Sequence, residues 1–172
     1  LFTGAPTDGN PRPHYFYSGL LDGSDLVVTD RSRNALRIFD VSRPLDPRLR
    51  QTLAIAAGAP VSVVRMGEEY LVSMGGGGLI RMPRRPDAPG PPAPLLDQWD
   101  FVTEVAPYPP HWLLVADNFD GGMKVLDLSD PTGPRLASVY LTGNFCDSIV
   151  AYDGFAAVSN RARGLLLLDL VD

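Results

Sequence analysis

LLVADNFDGGMKVLDLSDPTGP, residues Leu113–Pro134, is the stretch from which the fold can be read. An apolar run ends at Asp117, a polar turn with two glycines follows, and a second run closes at Asp127. This pattern predicts two strands joined by a tight turn, then a proline-bounded loop. The same text lies over Leu26–Pro47, LVVTDRSRNALRIFDVSRPLDP, and its first half over Ala156–Asp172, AAVSNRARGLLLLDLVD.

Working outward, the closing residue recurs as Asp40, Asp127 and Asp169, with Pro83 ending a degenerate copy, GLIRMP. The spacing is about 43 residues, inside the range that marks solenoids and propellers. A first strand is predicted over Tyr15–Leu21, Val61–Met66, Val102–Tyr108 and Asp147–Tyr152. A second is predicted over Leu26–Asp30, Tyr70–Met74, Trp112–Asp117 and Phe155–Asn160, and a third ends at each closing residue. A fourth is expected over Leu49–Ile55, Leu95–Phe101 and Leu136–Thr142. The second strands are nearly continuous apolar runs, as expected of strands covered on both faces. No stretch shows a capped helical stripe, and Gly58 and Pro60 interrupt the nearest one.

Four antiparallel strands per unit, repeated around an axis, describe an all-β propeller. The expected blades are roughly 13–56, 57–101, 102–142 and 143–172 plus 1–4. Leu1–Gly4, LFTG, resembles YLTG at Tyr140–Gly143, so the N-terminal residues are expected to complete the last blade and close a four-bladed ring. The rival expectation is a piece of a larger propeller. Open blade faces and a bare strand edge would be unfavourable, which favours closure.

Composition agrees. Charged residues make up 20% and Gly and Pro number 17 each, which suits short strands and tight turns rather than a helical bundle. The apolar share of 45% is ordinary for a chain that buries a core, and 172 residues suffice for one domain. A net charge of −5 argues against a general nucleic-acid binder. No apolar run reaches the roughly 20 residues of a spanning helix. The chain begins at Leu1 without a signal-type segment, as in a processed protein or a piece of a longer one. Lys124 is the lone lysine among arginines, and Cys146 is the lone cysteine, so no internal disulfide can form.

At these repeats the chain resembles the LVIVD-repeat family of β-propeller proteins, whose units read as a YVAD-type strand, a turn, GLRIIDIS and a DP-x-x-P loop. LLVAD…GMKVLDLSDPTGP is the closest match, and LVSM…GLIRMP the weakest. The resemblance covers nearly the whole chain and implies a propeller, mostly found in bacterial and archaeal proteins outside the cytoplasm. The family is similar to selenium-binding and methanethiol-oxidase propellers, enzymes that need several histidines around a metal. Only His14 and His111 occur here, so that activity is not implied.

The recurring Asp40, Asp127 and Asp169 read as loop anchors: Asp followed by Ser and Pro accepts backbone N–H bonds and fixes the next loop. Asp117 and Asp120 in DNFDGG place two carboxylates in one turn, a candidate Ca²⁺ site without EF-hand spacing; the alternative is an ordinary hairpin turn, and no cofactor is expected. MGGGG at Met74–Gly78 lacks the helix and Lys of a phosphate loop. Arg31 and Arg33 correspond to Arg161 and Arg163. These turns are expected to share a face with Trp99, Phe101, Phe119 and Phe145, the composition of a protein-contact surface. Solvated turn arginines are the alternative. Glu104 and Asp147, at equivalent heads of inner strands, are expected to face the channel, where solvated lining is the favoured reading and a pair that binds a cation or exchanges protons the alternative. Cys146 beside Asp147 is a poor nucleophile, although a pairing with His14 or His111 stays open, with His111 expected on the opposite face. The proline-rich Arg84–Pro94 is a blade-joining loop or an arm for a neighbouring subunit.

Three functions remain: a non-catalytic binding or assembly module for another protein or subunit, an enzyme or cation site around Glu104 and Asp147, and a structural segment of a larger chain. The first is favoured.

Overall fold

A computed structural model describes residues 14–84, 93–96, 101–119, 122–130 and 133–170. These residues form fifteen strands and, among them, no helix. The first sheet runs β1(Phe16–Asp22), β2(Asp25–Asp30), β3(Ala35–Asp40) and β4(Arg48–Ala54). The second has β5(Ser62–Met66), β6(Glu69–Ser73), β7(Leu79–Pro83) and β8(Ala93–Leu96). The third has β9(Val102–Tyr108), β10(Trp112–Asp117), β11(Gly122–Asp127) and β12(Arg135–Leu141). The fourth has β13(Cys146–Tyr152), β14(Phe155–Asn160) and β15(Gly164–Asp169). Every sheet is antiparallel with strands in chain order. The molecule is a four-bladed β-propeller.

Local chemistry sets each blade. Tyr152 pairs with Phe155 across Asp153–Gly154, whose φ values of 42° and 87° belong to a turn with two left-handed residues. Asp40 and Asp127 anchor their loops as expected. Their Oδ1 atoms accept the backbone N–H of Ser42 at 2.9 Å and Ser129 at 2.8 Å. The fourth-strand expectation at Leu95–Phe101 is corrected: β8 begins earlier, at Ala93, and residues 97–100 lie outside those described. The proposed strand at Leu1–Gly4, most of the proline-rich arm, Trp99 and Asp120 also lie outside the described residues.

The second strand of each blade is the buried one. Val27, Leu71, Val72, Leu113, Leu114, Val115 and Ala156 are all essentially inaccessible. Burying each large aliphatic side chain contributes about 1.5–3 kcal/mol. Three apolar seams result. Val27, Leu36 and Ile38 meet Val63, Tyr70 and Ile80 between blades 1 and 2. Leu71 and Leu79 meet Val105 and Leu113 between blades 2 and 3. Leu114 and Met123 meet Ile149 and Val158 between blades 3 and 4.

Polar bonds cross the same seams. The hydroxyl of Thr29 donates to the carbonyl of Val61 at 3.3 Å, and that of Ser73 to the carbonyl of Thr103 at 3.1 Å. Ala116 has no hydroxyl at the corresponding place, and Thr103 itself donates to the carbonyl of Cys146 at 3.0 Å. At the other end of the first seam, Asp22 accepts from Arg84 Nε at 2.6 Å, Arg65 at 2.9 Å and the Tyr70 hydroxyl at 3.3 Å. Burial opposes ionisation of Asp22, but the two guanidinium groups outweigh it and lower its pKa.

Candidate functional site

The inner strands β1, β5, β9 and β13, with Val61 just ahead of β5, bring two consecutive residues each to one end of the central channel. The pairs are Tyr17 and Ser18, Val61 and Ser62, Thr103 and Glu104, and Asp147 and Ser148. They line a cavity of about 500 Å³ whose rim carries Arg31, Phe101, Asn118 and Arg161. Small-molecule sites span roughly 300–1,000 Å³ and have a few convergent polar groups. A second cavity of about 570 Å³, between blade 3 and β15, is lined largely by Leu114, Met123, Leu167 and Leu168 and gathers fewer polar side chains.

Glu104 and Asp147 both line the channel mouth, but their equivalence needs correction. Glu104 pairs with Ala116 and Ser148 with Ser159, so Glu104 corresponds to Ser148 and Asp147 to Thr103. The turn before the second strand has three residues in blade 3, Pro109–His111, and two in blade 4, Asp153–Gly154, which moves the count by one. The two carboxylates also have different surroundings. Glu104 Oε2 accepts the Ser148 hydroxyl and the backbone N–H of Ile149 at 3.0 Å, bonding blade 3 to blade 4. Asp147 takes a two-pronged bond from Arg161 at 2.7 and 2.9 Å, plus the Asn118 amide at 2.7 Å. Hydrogen bonding to Asp147 raises the pKa of Arg161, whose guanidinium lies 4.7 Å from the Phe145 ring centroid.

Around this mouth the expected aromatic residues converge. Phe101 meets Phe119 edge to face at 5.3 Å, and Phe119 meets Phe145 at 6.5 Å. With Arg161 they form a continuous row, and Phe119 at its middle is 64% exposed. A Gly75–Val102 bridge carries the turn of blade 2 across to the head of blade 3. Gly75 has φ 57°, and a Cβ there would lie 3.0 Å from the Phe101 ring. Arg31 lies over Tyr17 at 5.3 Å. Arg33 donates to Ser32, and the Arg163 guanidinium sits against Gly143.

The remaining candidates have structural partners. Asp117 is fully buried, and Lys124 Nζ binds its Oδ2 at 2.5 Å. Among the described residues no three His, Cys, Asp or Glu side chains are grouped to hold a metal ion. His14 bonds Asp30 at 2.5 Å and lies against the Arg37 guanidinium, while His111 packs at a tilt against Trp112 and faces Asp127. Burial first, then the charge of Asp147, pushes the Cys146 thiol up to about 12.

Asp30–Arg37 in blade 1 and Asp117–Lys124 in blade 3 are the same device, an acid at the end of the second strand with a buried cation seven residues later. Sequence reasoning missed these pairs. The recurrent seven-residue spacing, with the lone lysine at one of the two places, was the available signal.

No protein-family model and no curated protein matches the chain. Among solved structures it is similar to the computationally designed Ika4 protein, with a TM-score of 0.69, 9% identity, and 93% of this chain and 94% of that chain covered. It is also similar to the computationally designed Ika8 protein, with a TM-score of 0.65 and 9% identity over 90% of this chain and 45% of that chain. At such identity the likeness concerns the fold alone.

Proposed function

We propose that this chain is an LVIVD-type propeller acting outside the cytoplasm as a non-catalytic docking module for another protein. The observation that carries the reading is the row Phe101–Phe119–Phe145–Arg161 on one face, half-buried at Phe101 and exposed along the rest. Aromatic and arginine side chains dominate interface energetics because they bury large area at low entropic cost. The motif residues of the family resemblance support the scaffold part, since Asp40 and Asp127 bind loop backbone and do no chemistry at the channel. An acid–base site at Glu104 and Asp147 is less well supported, because Asp147 has donors on both oxygens.

Purification of the natural complex tests the proposal. Phe119→Ala and Arg161→Glu are each expected to weaken partner retention about tenfold or more. Leu45→Ala, at a fully exposed position on another loop, is expected to retain the partner. Equal retention by all three variants would remove the row from the interface.

A further inference from the structure

We infer that the channel mouth binds a small zwitterion of the amino-acid or dipeptide class. Its four charged lining residues sum to zero: Arg31 and Arg161 against Glu104 and Asp147. Two of them cancel locally, because Arg161 closes on Asp147 through two bonds. The other two remain open toward the cavity. Arg31 forms no ion pair among the described residues, and its guanidinium is held over the Tyr17 ring. Glu104 spends Oε2 on blade 4, while Oε1 has no protein partner among the described residues.

Arg31 belongs to blade 1 and Glu104 to blade 3, so a donor fork and an acceptor oxygen stand on opposite sides of one cavity. A guanidinium fork matches a carboxylate, and a carboxylate oxygen matches an ammonium. An electroneutral mouth disfavours polyanions and bare cations alike, and favours a ligand with one charge at each end. The Ser18 hydroxyl, which makes no protein bond among the described residues, lies on the same wall and adds a neutral hydrogen-bonding group. Tyr17 and Phe101 offer apolar surface for the remainder of the ligand.

The site shares Phe101 and Arg161 with the docking row, whereas Phe119 and Phe145 lie outside its lining. Calorimetric titration of the whole chain with the standard free amino acids and with glycylglycine tests the inference, each beside its N-acetylated and its amidated form. The free zwitterion is expected to bind, and blocking either end is expected to weaken binding about tenfold or more, the value of one charged hydrogen bond. A stronger response to amino acids than to glycylglycine, or the reverse, separates the two sources. Arg31→Gln touches only the Tyr17 ring, so the fold is expected to persist, and acid and amide should then bind alike. Phe119→Ala should leave the titration unchanged while docking is lost. Absence of heat with every zwitterion at millimolar concentration, equal binding of blocked and free forms, or unchanged discrimination in Arg31→Gln would each overturn the inference.

Discussion

Asp40 shows how a single carboxylate serves the repeat. Hydrogen bonds from Ser42, and then from Arg50, hold its pKa at about 2 against an ordinary 3.8. Asp127 is shifted the same way by Ser129, and Asp22 and Asp30 are lowered despite their burial. A depressed folded-state pKa contributes stability that is complete above the unfolded value and disappears as pH falls through the folded one. Resistance to urea is therefore expected to fall between about pH 4 and about pH 2. Asp40→Asn should flatten part of that slope, read as unfolding midpoints measured along a pH series. Cys146 offers a second check at this scale. Its thiol, pushed up to about 12, carries almost no thiolate at neutral pH. A thiol-specific chromogenic disulfide is expected to leave the native protein unlabelled and to label it at once in denaturant. Rapid labelling of the folded chain would contradict the burial described.

At the scale of the strand, the seams depend on hydroxyls as well as aliphatic side chains. Thr29 accepts the N–H of Ser18 within its own blade and donates to Val61 in the next. Thr29→Val keeps the shape but removes both bonds, leaving a part-buried N–H and a buried carbonyl unpaired. The expected loss is about 1–3 kcal/mol in equilibrium unfolding. Strand identity was legible in the chain because a strand covered on both faces needs an apolar run, as in Leu113–Ala116. The Asp–x–Ser anchors were legible because their chemistry is local. The hydroxyl bonds were not, because their acceptors belong to another repeat about 30 residues away. Arg37 and Lys124 were hidden for a related reason: a charge in a strand reads as solvent-facing until its buried acid is located. The slip between Glu104 and Asp147 comes from unequal turns, since a fixed repeat length misaligns the strands that precede Pro109–His111 and the shorter Asp153–Gly154.

Across the whole molecule, packing is uneven. β1, β5, β9 and β13 adjoin in succession, whereas β13 and β1 share no comparable packing among the described residues. Leu21, Tyr17, Val150 and Tyr152 are exposed on the two sides of that gap. Backbone amides of β13 and β15 are accordingly expected to exchange with deuterium well before those of β6 and β10, as hydrogen-exchange mass spectrometry would show. Uniform protection of all four blades would contradict this gradient. The buried ions add a constraint of another kind. Ile80 and Leu166, the counterparts of Arg37 and Lys124, belong to aliphatic clusters against the preceding blades, so charged and greasy wedges alternate around the hub. Each cation has its acid on the adjoining strand of its own blade, so a wedge moved out of phase would carry its ion pair with it. The alternation is thus a property of each wedge, charge-balanced within itself, and the fit between neighbours is left to aliphatic shape.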